Sequence, residues 1–146
     1  MSDAPQPLFP LPVADADTQP FWDAAVEHRL VVPRCSACGK WIWQPKPVCP
    51  ACHTDDPVWT EVTGGGRIAS WTVIHPPVLP AFADTVPFVI LLVELDEGVR
   101  MVGQLVDESG ALLVTDGTDV GVAMGTPVVL RWREQGGVTL PAWGVA

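Results

Sequence analysis

Two CxxC pairs, Cys35-Ser36-Ala37-Cys38 and Cys49-Pro50-Ala51-Cys52, stand ten residues apart and account for all four cysteines of the chain. Around them lie five prolines, at 33, 45, 47, 50 and 57. Proline fixes φ and removes a backbone donor, so little regular helix or sheet survives that density. The segment needs another source of order. Two tight turns, each presenting two sulfurs, supply four thiolates, which match the tetrahedral preference of zinc. The linker is shorter than the roughly 15–20 residues of the common pattern, yet it permits a hairpin of roughly 15 Å each way. Gly39 follows the first pair, where a positive φ is often required.

We therefore expect Cys35, Cys38, Cys49 and Cys52 to hold one structural zinc ion. Four protein ligands leave no open position, so the ion acts as a staple and not as a Lewis acid. Iron in a rubredoxin-type centre uses the same donors. Two disulfides or four free thiols would use the same residues. A redox role is the weaker reading, because one CxxC would suffice and no βαβ pattern surrounds either pair. His53, next to Cys52, reads as a surface turn residue. Trp41 and Trp43 alternate in the linker and should cover the metal or pack the ribbon on its neighbour.

Residues 1–19 are rich in Pro, Asp and Ala and read as a flexible arm. A helix is expected to open at Thr18-Gln19-Pro20, with Thr18 as N-cap and Pro20 in the first turn. Phe21, Trp22, Ala25 and Val26 would form its apolar stripe. The domain division expected is 1–19 for the arm, 20–57 for helix and ribbon, and 58–146 for a barrel.

From Val58 the pattern becomes that of strands. Val58–Val62, Arg67–Ile74, Phe88–Leu95, Val99–Val106 and Thr126–Arg133 are strand-like. Gly64-Gly65-Gly66, Asp96-Glu97-Gly98 and Gln135-Gly136-Gly137 mark bends or turns between them. Five or six short strands over this length fit a small closed barrel, of which the five-stranded Greek-key OB barrel is one solution. A small sandwich competes. The fold class expected is mainly β.

Composition limits the function. The chain has 17 acidic and 8 basic residues, net −9, and residues 61–146 alone carry −6. OB faces that bind single strands use basic grooves with stacking aromatics, so nucleic-acid binding is disfavoured and kept only as an alternative. No segment reaches the roughly 18 apolar residues of a membrane span. The N-terminal stretch lacks the basic region of a signal peptide. A cytoplasmic protein is the expectation, and paired cysteines there read as metal ligands before disulfides.

No pair of residues reads as a nucleophile with its base. Ser70 and His75 lie five apart on a strand and its exit and share no face. His75 precedes Pro76-Pro77, at a barrel mouth or in a loop. Arg67 and Arg100 flank two bends, and Arg131 and Arg133 share a strand face. Such cations suit CoA phosphates, or simply offset local acids.

Taken in order, Pro20-Phe21-Trp22, Arg34-Cys35-x-x-Cys38-Gly39, Pro47-x-Cys49-Pro50-x-Cys52 and Trp59 ahead of Gly64-Gly65-Gly66-Arg67 form a pattern. Ser70-Trp71-Thr72-Val73-Ile74-His75, Pro87-Phe88, Val93 to Arg100 and Gly125-Thr126-Pro127-Val128 complete it. It resembles the zinc-ribbon plus OB-fold family called domain of unknown function 35, over nearly the whole chain after residue 18. The Gly-Gly-Gly bend and Met124 depart from the usual residues of that family but touch no ligand position.

The resemblance implies an N-terminal helical hairpin, a rubredoxin-like ribbon and a C-terminal OB barrel. It also implies a non-catalytic, acyl-CoA-associated accessory subunit. Such a subunit pairs with a thiolase-like enzyme, a sterol-type aldolase or an acyl-CoA hydratase as a hetero-oligomer, and helps to form the CoA channel. On that reading Trp71, His75, Phe88, Arg67 and Arg100 are the candidates for contact with acyl-CoA or partner. A freestanding thioester-processing enzyme is the remaining alternative.

Overall fold

The structure is a computed structural model and describes residues 9–146. Residues 1–8 of the expected arm lie outside the described residues. The part that follows packs on its own chain: the rings of Phe9 and Phe82 meet edge to face at 5.2 Å.

One helix, α1 (Gln19–Val26), precedes seven strands: β1 (Leu30–Cys35), β2 (Pro57–Val62), β3 (Gly66–Ile74), β4 (Phe88–Leu95), β5 (Arg100–Gln104), β6 (Pro127–Gln135) and β7 (Val138–Val145). A single 3-10 turn, Pro80–Phe82, lies in the long β3–β4 connection. Among the described residues the helical hairpin implied by the resemblance is one helix.

Pro20 does sit in the first turn of α1, but Thr18 does not cap it through its side chain. The turn before the helix is organised by Asp15 instead. Its Oδ1 accepts from the Thr18 amide at 2.9 Å, the Asp17 amide at 3.1 Å and the Thr18 hydroxyl at 2.8 Å. The apolar stripe is also shifted from expectation. Phe21, Ala24 and Ala25 are buried, whereas Val26 is 72% exposed. Helix α1 packs against β1 and β7, and that contact selects the face.

Strands β1 and β2 pair antiparallel, from Leu30 opposite Val62 to Cys35 opposite Pro57, as a two-stranded sheet of their own. Thus the strand at Val58–Val62 forms, and pairs backward with the ribbon. The remaining strands make a five-stranded sheet in the order β5-β4-β3-β6-β7. The first strand in sequence sits at its centre. The sheet rolls until the chain just past β5 meets β7, through an isolated parallel bridge between Leu105 and Trp143 and a bond from the Val106 amide to the Trp143 carbonyl at 2.9 Å. This is an OB-fold barrel, as the sequence indicates.

The core follows strand alternation. Val89, Leu91, Val93 and Leu95 of β4 point inward and are buried, with Ile68, Met101, Leu105 and Val128 from neighbouring strands. Trp143, fully buried, lies across the middle, and its Nε1 donates to the Gly64 carbonyl at 2.8 Å. Gly103 opposite it is required, because a Cβ there would collide with the Trp143 ring. Leu30, Val32 and Val62 join the same core, so the base of the ribbon and the barrel share one interior.

Candidate metal centre and neighbouring cleft

Each CxxC pair builds a knuckle with the same hydrogen bonds. In the first, the Cys35 amide donates to the Lys40 carbonyl at 2.8 Å and the Gly39 amide to the Cys35 carbonyl at 3.0 Å. In the second, the Cys49 amide donates to the Thr54 carbonyl at 2.9 Å and the His53 amide to the Cys49 carbonyl at 3.0 Å. The fifth residue of each knuckle has positive φ: Gly39 at 75° and His53 at 63°. His53 is therefore an exposed left-handed turn residue, in a conformation glycine adopts at less cost.

The two knuckles face each other. Cys35 Sγ and Cys52 Sγ are 3.5 Å apart, and Cys38 Sγ and Cys49 Sγ 3.7 Å. All four sulfurs lie within 4.8 Å of one another, and none forms a disulfide. Zinc–thiolate bonds of about 2.3 Å in a tetrahedron place sulfurs about 3.8 Å apart, so the set fits one ion. Cys35 and Cys49 are buried with Ile42 between the knuckles, while Cys38 and Cys52 are exposed.

The electrostatics also point to a cation. The Thr54 side chain and amide bring the Cys52 thiol down to about 6. The Cys52 amide is the main cause that lowers Cys49. For Cys38, a hydrogen bond from the Lys40 amide lowers the pKa, but desolvation and the neighbouring thiols outweigh it and push the group up to about 11. Sulfurs this close cannot all ionise unless a positive ion shares them. Bound there, the ion would supply folding energy and no chemistry, since every ligand position is taken.

Trp41 and Trp43 both pack on the shared core, the second of the two roles expected of them. Trp41 lies beneath the Arg34 guanidinium, 5.0 Å from its ring centroid. Trp43 turns away from the sulfurs to Phe21 of α1, with centroids 5.2 Å apart. There it lines a cleft of about 620 Å³ between α1, the ribbon linker and strands β5 and β7. Phe21, Trp22 and Pro45 form one wall, and Ile90, Val102 and Pro141 the other.

The residues assigned by sequence to acyl-CoA or partner contact lie elsewhere. Arg67, Glu94 and Arg100 stand side by side across β3, β4 and β5. Arg100 is bonded to Glu94 at 3.0 Å, and Arg67 donates to the Gly125 carbonyl at 3.0 Å. Trp71 is 39% exposed on β3, His75 is exposed just beyond it, and Phe88 is buried against Phe82. These two groups occupy opposite ends of the β3–β4 pair, and none of the five lines the cleft. The cleft is not among the sites expected from the sequence. The available signal was β4, whose run Phe88–Leu95 is apolar at inward and outward positions alike until Glu94.

A four-cysteine ribbon sharing a core with an OB barrel defines the class: a zinc-ribbon OB protein. The chain belongs to the ChsH2 family, because residues 22–58 match the ChsH2 rubredoxin-like zinc ribbon domain and residues 59–133 the ChsH2 C-terminal OB-fold domain. It is 38% identical over 130 residues to a probable enoyl-CoA hydratase alpha subunit of Thermomonospora curvata, covering 89% of this chain and 37% of that protein. It is 36% identical over 135 residues to the 3-oxo-4,17-pregnadiene-20-carboxyl-CoA hydratase alpha subunit of Mycobacterium tuberculosis, 90% of this chain and 39% of that one. The chain thus spans well under half the length of these two relatives. A DUF35 domain-containing scaffold protein of Methanothermobacter thermautotrophicus is 35% identical over 81 residues, 55% of this chain and 60% of the other. Among solved structures, a chain of the Ltp2-ChsH2(DUF35) aldolase superposes with a TM-score of 0.78 at 37% identity, covering 92% of this chain and 98% of that one.

Proposed function

We propose that this chain is a non-catalytic subunit of an acyl-CoA-processing enzyme, docking on a thiolase-like, aldolase or hydratase partner and completing its CoA-substrate channel. The observation that carries the reading is the match over 98% of a chain of the Ltp2-ChsH2(DUF35) aldolase. The hydratase alpha-subunit names of two other relatives agree with it. The chain's own chemistry is consistent. Its four sulfurs are placed to close around one metal ion, and zinc is the ion we assign to them. Among the described residues no histidine is hydrogen-bonded to a serine, threonine or cysteine; His28 stacks on Trp132 and pairs with Glu134 at 3.7 Å. Arg67, Arg100, Trp71, His75 and Phe88 remain proposed contacts to acyl-CoA or partner, in a cytoplasmic hetero-oligomer.

The test is to isolate the chain with its associated proteins, identify any acyl-CoA enzyme among them, and assay that enzyme with and without this chain. The reading predicts a stoichiometric complex whose acyl-CoA turnover falls at least tenfold without the chain. A partner fully active alone, or acyl-CoA turnover by the isolated chain, contradicts it.

A further inference from the structure

Strand β4 is apolar on both faces. Its inward residues fill the barrel, and its outward residues are Phe88, Ile90 and Leu92. Strands with this pattern normally lie in sheets covered on both sides. Here the cover is partial. Phe82 lies over Phe88, with centroids 5.9 Å apart. Leu92 stands opposite Val102 of β5, and Val102 is 60% exposed. Ile90 and Val102 then lead into the cleft, whose far wall is Phe21, Trp22 and Trp43. The outer face of β4 and β5 and the cleft therefore adjoin as an apolar surface, bounded at its far edge by the Arg100–Glu94 ion pair.

Charge narrows what fits it. Asp15 and Asp17 stand on the cleft wall, and among the described residues no lysine, arginine or histidine lines it. Hydrogen bonds from the Thr18 side chain and amide hold the Asp15 carboxyl below the usual carboxylate range, so it stays charged in all ordinary buffers. Such a wall repels the phosphates of a CoA head group and attracts a cation. Aromatic faces beside the acids favour the same charge. The opening onto the outer face of β4 and β5 suits an extended protein contact with one anchoring side chain, where binding energy concentrates.

We propose that the cleft and the adjoining outer face of β4 and β5 form the docking surface for the partner enzyme, and that they receive a partner segment carrying an aromatic or aliphatic side chain next to a lysine or arginine. This rests on the accessory-subunit reading for the existence of a partner, and adds where the partner binds and with what chemistry.

The test titrates the purified partner enzyme, identified by its association with the chain, against four forms of the full chain: wild type, Val102→Glu, Asp17→Lys and Met124→Glu. Val102 and Met124 are both exposed, and Asp17 makes no side-chain hydrogen bond, so each variant should keep the wild-type melting temperature. Expected are an affinity loss of about tenfold or more for Val102→Glu and no change for Met124→Glu. Asp17→Lys should weaken binding and flatten its salt dependence. A photo-crosslinker at position 102 should capture a partner peptide containing an apolar residue beside Lys or Arg, and this readout survives a Val102→Glu variant that fails to fold. Wild-type affinity for Val102→Glu within an intact complex overturns the docking site and leaves the subunit reading standing. Asp17→Lys binding as tightly as wild type overturns the basic occupant. A wild-type homodimer that Val102→Glu dissociates assigns the face to a second copy and overturns the inference. Failure of any acyl-CoA enzyme to associate removes both.

Discussion

The tip of the ribbon and the interior of the barrel are ordered by different means. From Cys35 to Asp56 the buried side chains are Cys35, Ile42 and Cys49, too few to fix twenty-two residues by apolar burial. The barrel buries Ile68, Val89, Leu91, Val93, Leu95, Met101, Leu105 and Trp143 in one cluster. The tip must take its stability from an ion, on the order of 10–16 kcal/mol in small zinc peptides. The barrel takes its own from area removed from water, at about 25 cal/mol per Å². The two regions meet where Leu30, Val32 and Val62 enter the shared core and where Trp41 and Trp43 pack on it, so damage to one should reach the other through those contacts.

The largest separation should come from Cys49→Ser, which removes a fully buried ligand. We expect loss of bound metal by elemental analysis and fast hydrogen exchange at the amides of Cys35, Ile42 and residue 49. Exchange in β4 should stay slow. Equal protection of both regions in the variant would break the contrast.

Trp143→Ala strikes the other side. It deletes the largest buried side chain and the bond to the Gly64 carbonyl, and should cost about 3–5 kcal/mol in urea unfolding. Metal content of the folded protein should be unchanged. Metal loss in step with that destabilisation would show that tip and barrel form one cooperative unit.

The smallest effect is electrostatic and belongs to the barrel side alone. The Ser109 hydroxyl, then the Ala111 amide, then the Ser109 amide and the charge of Arg131 hold Asp107 below its ordinary pKa. A carboxyl lowered in the folded state stabilises above its unfolded value, about 3.9, and loses that contribution as pH falls through the folded value. Asp107→Asn should thus lower the melting temperature slightly at pH 6, with the gap to wild type closing as pH falls through the folded value. A gap that widens on acidification would give the shift the opposite sign.

How much of this the sequence held also divides by region. Local chemistry was legible. The knuckle turns are fixed by residues within six positions of each other, and the hairpin at Asp96-Glu97-Gly98 by three. Choices made by distant contacts were hidden. Val26 was placed on the buried stripe because spacing alone cannot say which face meets β1 and β7, and Ala24 took that place. Thr18 has capping chemistry, but its hydroxyl is taken by the Asp15 carboxylate, which also accepts the Asp17 and Thr18 amides ahead of the helix. β2 looks like the start of the barrel pattern and pairs with β1, because the loop carrying the two knuckles returns residue 57 opposite residue 35. The cleft joins residues up to 126 positions apart, from Asp15 to Pro141, and no local pattern encodes it.

Hydrogen exchange of the metal-loaded chain, followed by mass spectrometry before and after a strong chelator, addresses the division of stability most directly. Stripping should release one metal ion per chain and expose the amides of residues 35–56, while β3, β4 and β7 keep their protection. Release of no metal, or an unchanged exchange pattern in the tip once the ion has gone, would contradict the metal as its source of order.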